Sequence, residues 1–175
     1  NFLYQSVNKK TSIKVIDRSL KEYPGNLILN QLKEDINFQK NTFSNKFDCK
    51  NLSHVIAEIF YIVSNALSGQ SLYSLSNFYL NLSKYLNPEF TSFDALYAEN
   101  YYIIRNYEKA KKIYKKLKNN GTFYHWHASK QISNILIIEK KEDLAQELLK
   151  KAFNGIDEPS IYETFDYAEF LKNNE

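Results

Sequence analysis

Residues 91–122 read TSFDALYAENYYIIRNYEKAKKIYKKLKNNGT, and the placing of two alanines in that stretch decides the fold. Ala98 follows Tyr97 and stands three residues before Tyr101, while Ala110 comes twelve residues later and stands four before Tyr114. On a helix, residues three and four apart share a face, so each alanine is a small site beside a large apolar one. Small residues on two facing helices let the backbones approach closely. The large residues one turn away then fill the grooves beside that contact. Arg105-Asn106-Tyr107 is the break between the two patterns. The stretch predicts a helical hairpin.

Working outward, the same pattern recurs at Val63-Ser64 with Leu67, Ile132-Ser133 with Leu136, and Tyr167-Ala168 with Leu171. The small residues Ser64, Ala98, Ser133 and Ala168 are spaced 34, 35 and 35 apart. Twelve beyond Ser64 and Ser133 lie Ser76 and Ala145, each followed four later by a leucine, Leu80 or Leu149. Breaks within hairpins fall at Ser68-Gly69-Gln70-Ser71 and Lys140-Lys141-Glu142. Breaks between hairpins fall at Asn87-Pro88, Asn119-Asn120-Gly121, and Asn154-Gly155 through Pro159. A hairpin alone leaves one face wet, and stacking its neighbours buries that face in a core that runs along a solenoid.

In this register the chain resembles the tetratricopeptide repeat family, a helix–turn–helix of about 34 residues with small residues at two fixed positions. The best match is Thr91 to Thr122, and Asn106-Tyr107-Glu108-Lys109-Ala110 looks like the family's usual opening of the second helix. The family's tryptophan position holds Phe60, Asp94, Ser129 and Thr164, and its closing proline is kept at Pro88. The resemblance covers residues 57–175 and implies an all-α fold, a right-handed superhelical solenoid of antiparallel helix–turn–helix repeats. The expected organisation is a solenoid over 51–175, with full hairpins about 57–90, 91–124 and 126–159 and a final unpaired helix at 160–173.

Residues 1–50 fit less well. Ser12, Ile16, Ser19, Leu20 and Pro24 look like the second helix of a degenerate repeat, and Leu27 to Phe38 like a first helix with Leu29, Leu32 and Ile36 as its apolar stripe. Residues 39–50 show no helical period and read as a loop. It either lies across the groove on Phe43 and Phe47 or hangs free.

The totals agree with a helical chain. Of 175 residues, 43% are hydrophobic and 25% charged, ordinary for a globular protein, while 4 Gly and 3 Pro are too few for the turns of an all-β fold. No window approaches 18 consecutive apolar residues, so no membrane span is expected. A net charge of +3, carried by 21 Lys against 2 Arg, argues against nucleic acid, because Arg supplies most bidentate phosphate and base contacts. The single Cys49 excludes an intramolecular disulfide and a cysteine zinc cluster. The chain opens at Asn1, contains no Met and ends directly after a helical pattern, and we read it as a piece of a longer protein. The resemblance is closest to long repeat proteins of bacteria, some exported to the cell envelope, which leaves the compartment open.

Enzyme signatures are absent: there is no glycine-rich phosphate loop, nucleophile elbow or zinc helix. In His125-Trp126-His127 the two imidazoles project about 200° apart on a helix and cannot meet one ion. His54 is isolated. No metal or cofactor is expected. The densest charge cluster, Lys109, Lys111, Lys112, Lys115, Lys116 and Lys118, reads as the solvated back of a helix or as a surface for an acidic partner.

The family resemblance implies that the first helices of successive hairpins line a concave groove that holds peptide segments. On this sequence that face carries Glu58, Tyr61, Ile62 and Asn65, then Ala95, Leu96, Glu99 and Tyr102, then His127, Lys130, Gln131 and Asn134. Tyr61 and Tyr102 are the natural anchors, since a rigid ring with a polar tip buries much area at low entropy cost. Repeat proteins that grip chaperone tails use a Lys and Asn set, whose positions here hold Tyr61, Asn65, Leu96, His127 and Gln131. Only Asn65 agrees. The expected function is a non-catalytic scaffold for a protein or peptide partner. An RNA-binding helical-repeat module and a purely architectural segment are the alternatives.

Overall fold

The computed structural model describes residues 8–38 and 47–174, and these are all-α, with no strand. Among the described residues there are nine helices: α1 (Lys9–Glu22), α2 (Leu27–Asn37), α3 (Leu52–Gly69), α4 (Tyr73–Leu86), α5 (Ser92–Ile103), α6 (Tyr107–Leu117), α7 (Thr122–Ile138), α8 (Glu142–Asn154) and α9 (Ile161–Asn173). A 3₁₀ turn, Lys118–Asn120, follows α6.

The turns α3–α4, α5–α6 and α7–α8 are built alike. Ser71, Arg105 and Lys140 occupy the left-handed region at φ 62°, 60° and 58°. After each, the next backbone N–H reaches back across the turn: Leu72 to the Leu67 carbonyl at 2.9 Å, Asn106 to Tyr101 at 2.8 Å, Lys141 to Leu136 at 2.9 Å. This is the long bond of a Schellman helix end, which satisfies a carbonyl that the last helical turn leaves open. Such a turn usually takes glycine, because a side chain there costs about 1 kcal/mol or more. The three residues are spaced 34 and 35 apart, the spacing of the small residues.

Six small residues of the series lie in the interior, and in two of the hairpins they mark a contact between the helices. Ser64, Ser76, Ala98, Ala110, Ser133 and Ala145 are all 0% exposed, and the large partners Leu80, Tyr114 and Leu149 are 2% or less. Ser76 Oγ donates to the Ser64 carbonyl at 2.9 Å, and Ser133 Oγ donates to the Ala145 carbonyl at 3.1 Å. Ala168, the fourth member of the series, is exposed on α9, the last helix of the sequence.

By internal packing the chain divides into two units, residues 1–113 and 114–175, with the division falling inside α6. In the first unit, α1 and α2 pack on each other, tied by a Lys33–Asp17 ion pair at 2.7 Å and by Lys9 Nζ donating to the Asn37 carbonyl at 3.1 Å. Asn8, Asn26 and Asn51 cap α1, α2 and α3, each side chain accepting first-turn N–H bonds. The apolar core of this unit is Ala57, Leu80, Phe90, Phe93 and Leu96, with Phe47, Tyr61, Leu86 and Tyr97 packed against it. Phe47, one of the two expected loop anchors, thus docks on the core of its own unit. Phe43 and the stretch 39–46 lie outside the described residues.

A polar network runs beside that core. The buried Asn100 amide on α5 donates to Ser76 Oγ and to Asn77 Oδ1, both at 2.8 Å, and its oxygen accepts from Ser68 Oγ at 2.7 Å. With the Ser76–Ser64 bond this joins three helices, and the Asn100 amide oxygen and nitrogen both have partners.

The second unit is closed by apolar contact instead. Trp126, Ala145, Leu149, Ala152 and Phe170 form its core, flanked by Leu136, Ile137, Phe153, Ile156 and Tyr167. The rings of Phe153 and Tyr167 stack at 4.5 Å, linking α8 to α9. Ser160 and Glu163 form a capping box that starts α9.

One helix among those described, α3, has the length and composition to cross a membrane. It carries His54, Glu58, Ser64 and Asn65, and it packs along α4, so it makes no clear span.

Candidate functional site

The expected groove residues lie on α3, α5 and α7, the first helices of their hairpins. In the first unit, α3 presents Ile62 and Asn65 to solvent, with Ile62 59% exposed. Asn65 donates from Nδ2 to the Tyr61 carbonyl at 3.2 Å. Glu58, one turn before Ile62, is half-buried, and burial raises its carboxyl pKa above the ordinary range. No ion pair to Glu58 occurs among the described residues.

On α5, Glu99 is half-buried and its pKa is likewise raised by burial. Leu96 and Ala95 turn toward the interior, Leu96 as part of the apolar core. Tyr102 is half-buried with its ring 5.9 Å from Tyr107, and its phenol pKa is raised by burial and, less, by Tyr107.

The two expected anchors therefore differ. Tyr61 spends its ring internally, 5.3 Å from Phe93 and 6.0 Å edge-on from Phe90. Tyr102 rests on the α5–α6 turn and keeps part of its ring in solvent. What the surface of this unit offers is an apolar spot at Ile62 and a hydrogen-bonding side chain at Asn65. It adds the half-buried carboxyls of Glu58 and Glu99, whose pKa values burial raises. A desolvated carboxylate gains more from an incoming cation or N–H donor than a fully wet one does.

In the second unit, α7 carries the remaining four residues. His127 is mostly covered, edge-on to Tyr114 at 5.9 Å. Burial foremost, then the Lys130 charge, lowers its pKa to about 4, with Asp166 opposing. Lys130 is held by Asp166 of α9 at 2.7 Å. Gln131 and Asn134 are half-buried along the same helix. Here His127 and Lys130 are engaged by the unit itself, and Gln131 and Asn134 keep part of their surface in solvent.

The other sequence candidates are separate. His125 is half-buried, and burial and the Lys118 charge lower its pKa. His54 Nδ1 accepts from the Asp48 backbone N–H at 3.1 Å, and Cys49 is an exposed free thiol. Among the described residues no three His, Cys, Asp or Glu side chains gather where they could hold a metal ion.

Sequence reasoning passed over two arrangements. Asn100 stands two residues after Ala98 with nothing in its spacing to mark it as a three-helix junction. In the second unit the Lys151 charge acts on Lys118 and the Lys118 charge on His125, couplings between separate elements that arise only in the folded chain. Comparison with protein-family models, curated proteins and solved structures gave no match to this chain.

Proposed function

We propose that this chain is a non-catalytic interaction scaffold of the tetratricopeptide type, in which hairpins stacked as a right-handed superhelical solenoid hold a peptide or protein segment on the face of their first helices. The observation that carries the reading is the three-fold recurrence of one hairpin design: a left-handed turn residue, a buried pair of small residues twelve apart and a large apolar residue four later, all on a 34–35 residue period. Repetition at that period is how a chain builds an extended surface from units that cannot bury their own faces. The binding residues on this reading are Glu58, Ile62, Asn65, Glu99, Tyr102, Gln131 and Asn134, with Glu58 and Glu99 favouring a segment that brings Lys, Arg or backbone N–H groups, whereas Tyr61, His127 and Lys130 are engaged within their own units.

The test is selection of peptides from a displayed library, followed by affinity measurement on a recovered peptide. Glu58→Lys with Glu99→Gln should weaken it at least about tenfold, the loss expected for charge-assisted contacts at a partly desolvated surface. Far-UV circular dichroism confirms that the variant is folded. If affinity survives this pair and is lost in Lys112→Glu with Lys116→Glu, the groove assignment is wrong.

A further inference from the structure

Helix α9 has two apolar sides. One closes the second unit: Phe170 lies in its core, Tyr167 stacks on Phe153 at 4.5 Å, and Asp166 holds Lys130 at 2.7 Å. At the end of the helix, Gln146 of α8 donates to the Asn174 carbonyl at 3.1 Å. The other side carries Ile161, Phe165 and Ala168, with Thr164 beside them, at the i, i+4, i+7 spacing of one helical face. All four are exposed, Ile161 at 77% and Phe165 at 66%. A contiguous apolar row differs from the singly scattered apolar residues of an ordinary surface.

The same helical positions are covered elsewhere in the chain. Counting back 35 residues, Ile161 corresponds to Trp126, Thr164 to Ser129 and Ala168 to Ser133. These three are 6%, 0% and 0% exposed. The helix that follows them, α8, supplies the cover: Trp126 clusters with Ala145, Leu149 and Ala152, and Ser133 Oγ donates to the Ala145 carbonyl at 3.1 Å. A further 69 residues back, Ala57 and Ser64 of α3 are both 0% exposed, and Ser76 of α4 reaches the Ser64 carbonyl at 2.9 Å.

In both hairpins the covering helix brings a small residue to the small one and follows it four residues later with a leucine, Leu80 or Leu149. The exposed side of α9 is the first-helix half of that twice-built contact, and continuity with it specifies the occupant. We propose that the Ile161–Phe165–Ala168 face of α9 is a docking site for one amphipathic helix that sets a small residue against Ala168 and a large apolar residue one turn later. Ala168 makes the site selective, because a larger residue on either helix holds the two backbones apart. The site uses none of Glu58, Glu99, Gln131 or Asn134, so its failure leaves the groove reading standing.

The test is fluorescence anisotropy of a labelled peptide of residues 141–155, the α8 sequence with Ala145 and Leu149, titrated with the full chain. A lactam bridge from Asp143 to Glu147→Lys, both exposed positions on α8, holds the peptide helical. Saturable binding is expected, with Trp126 fluorescence unchanged because the chain's own α8 stays in place. Ala168→Leu should weaken binding about tenfold or more, and so should Ala145→Leu in the peptide, as when an added side chain overpacks a close contact. Ala168→Ser should bind as the native chain does, since serine holds that position in α3 and α7. Ala168 is exposed, so both variants should keep the native melting temperature. Absence of saturable binding overturns the proposal. So does equal or tighter binding by Ala168→Leu, the mark of general apolar adhesion. Self-association in sedimentation that Ala168→Leu abolishes, without peptide binding, assigns the face to a second copy and overturns it as well.

Discussion

The α3–α4 and α7–α8 hairpins solve one packing problem with opposite polarity. In the first, the hydroxyl at the closest approach belongs to the second helix, Ser76, and reaches the carbonyl of Ser64. In the second it belongs to the first helix, Ser133, and reaches the carbonyl of Ala145. Between Ala98 and Ala110, both fully buried, there is no hydroxyl at either position. What the design requires is smallness at both positions; the hydrogen bond is an addition that either helix can supply. The surroundings differ more. Ser76 also accepts from Asn100 and so belongs to a polar network, whereas Ser133 has the one bond and an apolar core beside it.

That contrast can be broken in four ways. The largest effect should come from the shared large position: Leu80→Ala and Leu149→Ala remove fully buried side chains, and each should cost about 3–4 kcal/mol in urea denaturation. Unequal losses would show that the two cores tolerate a cavity differently. Next is acid. His127 has a folded pKa of about 4, below the unfolded value near 6.5, so the unfolded chain binds the extra proton first. Stability is therefore full above pH 6.5 and falls as pH drops toward 4, by up to about 3 kcal/mol. His127→Phe should flatten that part of the profile, and a pH series of melting temperatures checks it.

Third, Ser76→Ala should cost about 2 kcal/mol and Ser133→Ala about 1, because the first also strands a donor of Asn100 while the second loses a single bond. Equal costs would mean that the network adds nothing beyond its pairs. Smallest, glycine at Ser71, Arg105 or Lys140 should stabilise by up to about 1 kcal/mol, by the same amount at all three, since each backbone is already left-handed. A gain at one turn and a loss at another would break the equivalence of the hairpins.

The parts of this molecule legible in its sequence are those with a period. Small residues twelve apart marked the α3–α4 and α7–α8 contacts at Ser64–Ser76 and Ser133–Ala145, because nothing larger fits where backbones meet, while Ala168 in the same register is exposed. The turns were placed correctly at Ser71, Arg105 and Lys140, but their left-handed backbone was hidden, since the usual signal is a glycine and the nearest one, Gly69, sits two residues too early. The groove was less legible. Helical spacing gives a residue's face but not the occupancy of that face by Phe90, Phe93 or Tyr114, which is what turns Tyr61 and His127 inward. Long-range polar contacts such as Asn100 to Ser68, 32 residues apart, carry no local pattern.

The placement of Trp126 has a practical consequence. It is the one tryptophan of the chain, 6% exposed and set against Phe153 in the core of the second unit. Its fluorescence therefore reports on residues 114–175 and is silent about the rest, while helical ellipticity sums over both. Recording the two signals in one denaturation would show directly whether the halves of the chain melt as a single cooperative body or in succession.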